Sequence, residues 1–165
     1  MSHGFTRIYA DQDHHSSVRS RVMNTPAKHS ALTAKIIDIF YGVYTQLGHG
    51  LLESIYSEAL AVALYESALT TAGEVPVPMW FRGKKVGQYH ADLIVEGVVP
   101  LELKAARTLD SAHQAKLLHY LRATEVEVGL LLNFGLRPQF RQLIFDNERK
   151  KIRENQCESA AQVSA

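Results

Sequence analysis

The sequence predicts a domain of the α/β (α+β) class. Three observations carry this reading. Apolar residues recur at helical spacing from residue 31 to about 69, the pattern changes to that of strands from residue 75, and one further helix interrupts the strands after residue 110. The resulting order is ααβββαββ.

Over residues 31–47, Leu32, Ile36, Ile39, Phe40, Val43, Tyr44 and Leu47 follow helical spacing, with Ser30 as the expected N-cap. Gly48-His49-Gly50 breaks that helix. A second helix is expected over about 51–69, with Leu52, Ile55, Ala59, Leu60, Val62, Ala63 and Leu64 as its apolar set. Residues 75–81 read as a strand whose Pro76 and Pro78 suit a sheet edge or a strand start. Arg82-Gly83-Lys84-Lys85 is a turn, and 86–95 and 98–105 are two strands around Glu96-Gly97. Asp110 is an N-cap for a third helix over 111–124. Residues 127–134 form a strand with the apolar run Gly129-Leu130-Leu131-Leu132, and 140–145 form a short last strand.

The 165 residues are one domain's worth of chain, enough to bury about 70% of the unfolded surface. Residues 1–29 hold four of the eight histidines and no lasting apolar period, so they read as a leader; 30–146 read as the folded domain and 147–165 as a charged tail. Lys plus Arg number 18 and Asp plus Glu 17, a formal net charge of +1, which excludes a protein that coats DNA by bulk charge. Residues 30–135 carry 8 basic and 11 acidic groups, a net of −3, between mildly basic ends. The single cysteine, Cys157, can build neither a disulfide framework nor a cysteine-based zinc site. No apolar run approaches the ~18 residues of a membrane span, and the first residues lack the apolar core of a signal peptide. The expected location is cytoplasmic, with no membrane partner.

The stretch 90–106, His-Ala-Asp-Leu-Ile-Val-Glu-Gly-Val-Val-Pro-Leu-Glu-Leu-Lys-Ala-Ala, holds the chemistry. Side chains alternate along a strand, so Glu102 and Lys104 share one face and Leu101 and Leu103 the other. A charged pair between leucines is unusual in a central strand, because charges are rarely buried unless paired or bound to metal. A two-residue loop at Glu96-Gly97 would turn Asp92 and Glu102 to opposite faces. A three-residue loop that includes Val98 would set them directly opposite, and that odd loop, or an equivalent bulge, is expected. Facing carboxylates repel, and a divalent cation between them would turn repulsion into binding; oxygen-only ligands suit Mg²⁺ or Mn²⁺. The plainer alternative is a solvent-facing salt bridge between Lys104 and Asp92 or Glu102.

Asp92, nine intervening residues, then Glu102-x-Lys104 resembles the PD-(D/E)xK nuclease core. Gly50-Leu51-Leu52-Glu53-Ser54-Ile55-Tyr56 resembles the motif that names the GxxExxY protein family. The similarity continues through Ala91–Gly97, Glu102–Ala106, Leu117–Thr124 and Val128–Gly135, and spans about residues 31–135. It implies a restriction-endonuclease-like core, a mixed sheet of four to five strands flanked by helices, with two helices at its N-terminal side. By position, Glu53 matches the first-helix glutamate, Asp92 the metal-binding aspartate, and Glu102 and Lys104 the ExK pair. Where such proteins often carry glutamine four residues before the third-helix tyrosine, this chain has Lys116 before Tyr120.

The resemblance implies metal-assisted phosphodiester hydrolysis, with nucleic acid, DNA foremost, as substrate. Asp92, Glu102 and the Leu103 carbonyl would hold Mg²⁺ (or Mn²⁺), and Glu53 would serve as a further metal or water ligand. Lys104 would orient the attacking water or stabilise charge developing on the phosphate. Glu53 and Tyr56 lie three apart on one helix face, and His113, Lys116 and Tyr120 form a polar stripe at i, i+3 and i+7. Arg82, Lys84, Lys85, Arg107 and Lys116 are candidates for phosphate contacts. The alternative is a nuclease-fold module that binds nucleic acid or a protein without cutting. An exposed edge at 75–81 or on the final strand could support a homodimer. The histidines show no zinc spacing, Ser and Cys nucleophile motifs are absent, and a helix before Gly48-His49-Gly50 fails the dinucleotide fingerprint.

Overall fold

A computed structural model describes residues 29–82 and 84–148. Helices α1 (Ser30–Leu47) and α2 (Glu53–Glu66) precede strands β1 (Thr71–Phe81), β2 (Lys84–Val95) and β3 (Val99–Lys104). Helix α3 (Ser111–Ala123) then leads to β4 (Val128–Asn133) and β5 (Gln139–Ile144). The expected order ααβββαββ is the observed one. The strands form one mixed sheet in the order β1-β2-β3-β4-β5. The β3–β4 pair is parallel and every other pair antiparallel. A parallel pair needs a crossover connection, and α3 supplies it.

Several boundaries differ from expectation, and Lys84 and Lys85, expected in the turn, open β2. Ser30 is the first helical residue rather than the cap; His29 caps α1 in left-handed backbone, with no side-chain hydrogen bond. The second helix is shorter than 51–69. Leu52 is extended (φ −69°, ψ 149°) before it, and the chain leaves it through Ala68 at φ 58°. Strand β1 begins at Thr71, four residues earlier than its own pattern shows. Residues 71–74 lack apolar alternation, and pairing with β2 draws them in: Thr71↔Val95, Ala72↔Ile94, Gly73↔Leu93.

The sheet is covered on both faces. On one, Ile36, Phe40 and Val43 of α1 and Tyr56, Leu60 and Leu64 of α2 pack on Leu93, Leu101, Leu103, Leu130, Leu132 and Phe134. On the other, Tyr120 and Leu121 of α3 join a smaller cluster with Val77, Ala91, Ile94 and Phe145. Gly129 allows the close approach of α3, since a Cβ there would lie 2.9 Å from Leu117 Cδ1.

The β2–β3 turn is the three-residue loop the sequence called for. Its pairs Leu93↔Leu101, Ile94↔Pro100 and Val95↔Val99 fix the register. One further step along it sets Asp92 opposite Glu102. Glu96 (φ 53°) and Gly97 (φ 68°) make the reversal in left-handed backbone. The Glu96 carboxylate is also tied down, accepting the Thr70 N–H at 2.6 Å.

Candidate functional site

At the carboxyl end of β3, five charged side chains from four elements meet. Glu102 is 2% exposed, against 17% for Lys104, 28% for Asp92, 38% for Lys116 and 49% for Glu53. Lys104 Nζ lies 2.8 Å from Glu102 Oε1 and 3.4 Å from Glu53 Oε2, and donates to the Leu103 carbonyl at 2.8 Å. Lys116 Nζ lies 2.8 Å from the Glu102 carboxylate and 3.2 Å from Asp92 Oδ1. Asp92 Oδ2 accepts the Leu103 N–H at 2.7 Å. Glu53 Oε1 accepts the Ala105 N–H at 3.1 Å. The acids and ammoniums thus alternate: Glu53, Lys104, Glu102, Lys116, Asp92. A solvent-facing salt bridge is not what the structure shows, because Glu102 is buried.

Local sequence explains how each group is held. Gly48 (φ 68°) and Gly50 (φ 97°) take backbone conformations that L side chains rarely adopt, and between them reverse the chain after α1. Tyr56 locks that turn. Its hydroxyl donates to the Gly48 carbonyl at 2.8 Å and accepts the Leu51 N–H at 3.2 Å. Its ring, fully buried, stacks on Phe134 at 4.3 Å between centroids. Glu53 opens α2 directly after this turn and so is aimed at the end of β3. Past Lys104 the chain is clamped by Asn133. Its fully buried side chain accepts the Ala106 N–H and donates to the Ala106 carbonyl, both at 2.9 Å. Gly135 lets this segment pass, since a Cβ there would sit 2.0 Å from the Ala106 carbonyl oxygen.

Burial pulls the Lys104 ammonium toward its neutral form, but the Glu102 hydrogen bond and the charges of Glu102, Glu53 and Asp92 outweigh it. Its pKa is held above the ordinary 10.5. Lys104 is therefore a cation at neutral pH and cannot accept a proton from water.

The structure brings Glu53, Asp92, Glu102, Lys104 and Lys116 together and leaves other candidates elsewhere. Tyr56 serves the turn. Tyr120 lies in the α3 core one turn from Lys116, lining a small pocket with Glu102 and Lys116, and burial raises its pKa. His113 completes the capping box of α3: its backbone N–H donates to Asp110 Oδ1 at 2.9 Å, and the Asp110 N–H lies 3.2 Å from its Nδ1. That bond holds the Asp110 carboxyl below its usual range. The polar stripe read from the sequence thus splits into a cap, a site residue and a core residue. Arg107 is exposed in the loop after β3. Lys84 and Lys85 lie eight and seven residues from Asp92 along β2, about 23–26 Å away at strand spacing. Lys85 donates there to Gln88 at 2.6 Å. The leader to residue 28, the histidine pair at 14–15, Cys157 and the tail from 149 lie outside the described residues.

Asn133 had no sequence signal beyond being polar at the end of an apolar strand. Lys116 was legible as a basic residue but not as the partner of both carboxylates. An open cleft of about 330 Å³ leads to the site between α2 and the β1–β2 pair, past Glu53, Ser57, Glu58, Glu74 and Asp92. Among the described residues, no three of His, Cys, Asp and Glu cluster so as to share a metal ion. Nor is any described helix long and apolar enough to cross a membrane.

A family model described as the PD-(D/E)XK nuclease superfamily matches residues 30–143. Among solved structures, the chain is similar to one described as the crystal structure of SSO0001. The two share 20% identity over 83% of this chain and 70% of that one, with a TM-score of 0.47. No curated protein matches.

Proposed function

Because this chain belongs to the PD-(D/E)XK nuclease superfamily, we propose that it hydrolyses phosphodiester bonds of nucleic acid, DNA foremost, with a divalent cation, Mg²⁺ or Mn²⁺. The observation that carries the reading is the buried Glu102 beside Asp92 and Lys104 at the end of a central strand. A carboxylate is kept dry only for a partner, and here the partners form an ordered cluster.

The donor set suits the cation. Asp92, Glu102 and the Leu103 carbonyl are the oxygen ligands that hard divalent ions take. The Lys116 ammonium between the two carboxylates is a monovalent stand-in at the same place. Glu53, turned toward Lys104 and the Ala105 N–H, would reach the ion through a water. When bound, the ion would polarise the phosphate and acidify a water. The Leu103 N–H fixes one oxygen of Asp92, and the other, Oδ1, now against Lys116, would face the ion. Lys104, positively charged at neutral pH, would hold the attacking water or a phosphate oxygen. Lys116, at the carboxylates, and Arg107, in the loop after β3, are the basic groups that would contact the flanking phosphates. Lys84 and Lys85, at the far end of the hairpin, would touch nucleic acid only well away from the scissile bond.

The test is cleavage of single- and double-stranded DNA and RNA with Mg²⁺ or Mn²⁺, beside Lys104→Ala and Asp92→Asn. Cutting by the natural chain that both substitutions abolish supports hydrolysis. Equal background in all three, at every metal concentration, removes it. A second reading, a binding module that does not cut, is favoured by one observation: Lys116 already neutralises both carboxylates.

A further inference from the structure

We propose that Lys116 is the resident counter-cation of the Asp92–Glu102 pair, and that a divalent ion enters the pair only by displacing it. The inference deepens the metal-dependent reading above and rests on it for the identity of the incoming ion.

Each oxygen a cation would use already has a partner. Asp92 Oδ2 is taken by the Leu103 N–H at 2.7 Å, and Oδ1 by Lys116 at 3.2 Å. The Glu102 carboxylate is taken by Lys104 at 2.8 Å and by Lys116 at 2.8 Å. The Leu103 carbonyl, the third donor a cation would use, accepts Lys104 at 2.8 Å. Every donor is therefore already engaged by a nitrogen. A dication at about 2.1 Å from the same oxygens would face an ammonium a few Å away, and like charges at that range repel strongly. Something must yield. The Leu103 N–H is fixed in the strand. Lys104 is 17% exposed and has three acceptors. Lys116 is 38% exposed, on a flexible four-carbon stem rooted in α3, and can turn outward without moving backbone.

Lys116 would hold the acid pair closed without metal and set the concentration at which metal opens it. Its removal has opposite effects in the two states. Without metal, the buried Glu102 loses a partner and the fold weakens; with metal, the competitor is gone and binding tightens. Loss of a merely structural residue would not tighten binding.

The experiment titrates the full chain with Mn²⁺ alone by calorimetry, nucleic acid absent. Lys116→Gln is expected to bind Mn²⁺ at least tenfold more tightly than the natural chain. It is also expected to melt lower in EDTA and to regain the difference in excess Mn²⁺. Equal or weaker Mn²⁺ binding by Lys116→Gln overturns the proposal, as does absence of binding in both chains. Should Lys116→Gln fail to fold, the natural chain decides alone. Acetylation of Lys116, mapped by mass spectrometry, should rise several-fold in saturating Ca²⁺, and an unchanged rate overturns the proposal. The readouts separate the two claims. Tighter Mn²⁺ binding without cleavage would retain the counter-cation and remove the hydrolase; Mg²⁺-dependent cleavage with unchanged affinity would do the reverse.

Discussion

Leu101 and Glu102 are neighbours on β3, both closed to solvent, and they face opposite surroundings. Leu101 turns into the large core under α1 and α2, where its sheet partners are Leu93 and Leu130. Glu102 turns toward α3 and meets two lysines. One face of the strand is held by apolar contact that any leucine-rich sheet could provide. The other is held by charges that only these residues balance. The difference separates what keeps the chain folded from what the fold is built to present.

Four variants probe that separation. The largest effect belongs to the apolar face: Leu101→Ala should lower stability by about 2–5 kcal/mol, read by denaturant unfolding. Its activity, measured on the fraction still folded, should be close to that of the natural chain. Next is Lys104→Ala on the charged face. It should lower cleavage about 10²–10³-fold while the fold persists. It also carries a pH signature. Lys104 is held above its ordinary 10.5, so its ion pairing stabilises at neutral pH and is lost as the pH rises through the folded value, above about 10.5. Melting temperatures across that range should fall less steeply in Lys104→Ala. Tyr56→Phe, between the faces, removes two hydrogen bonds to the Gly48–Leu51 turn and should lower stability by about 1–2 kcal/mol. Because that turn aims Glu53, catalysis should fall as well, and unaltered kinetics would mean that Glu53 needs no such aim. The smallest effect should come from Lys84→Ala with Lys85→Ala. Cleavage should change less than about twofold, with at most a shallower salt dependence of binding. A large loss there would move the substrate path onto the hairpin.

The same contrast explains what could be read from the chain. Helices, strands and the β2–β3 register follow from periodicity, because one face of each element must be apolar. Counting showed that an odd loop sets Asp92 opposite Glu102, and the choice of that loop rested on the two carboxylates sharing a face. Burial of Glu102 was left open by its place between Leu101 and Leu103, since alternation assigns it a face but does not say whether that face is covered; α3 covers it. Lys116 resisted, because where a long side chain ends depends on how α3 crosses the sheet. Asn133 resisted for a related reason: its partner, the Ala106 backbone, lies 27 residues away and leaves no mark on the sequence. Residues 71–74 were missed because their strand character is supplied by β2. The stripe of His113, Lys116 and Tyr120 shows the reverse failure, where one spacing joined three residues with three separate tasks.

Strand β1 is the outer strand of the sheet, and its Pro76 and Pro78 lie opposite His90 and Gln88. Neither proline carries an N–H, and residues two apart present their amides to the same side of a strand. Over this stretch of the edge strand two residues therefore cannot donate to the ladder. Strand addition by a neighbouring copy is disfavoured over this stretch by covalent structure rather than by charge. Substituting both prolines with Thr or Val should leave the monomer's core intact and make concentrated solutions prone to β-rich assembly.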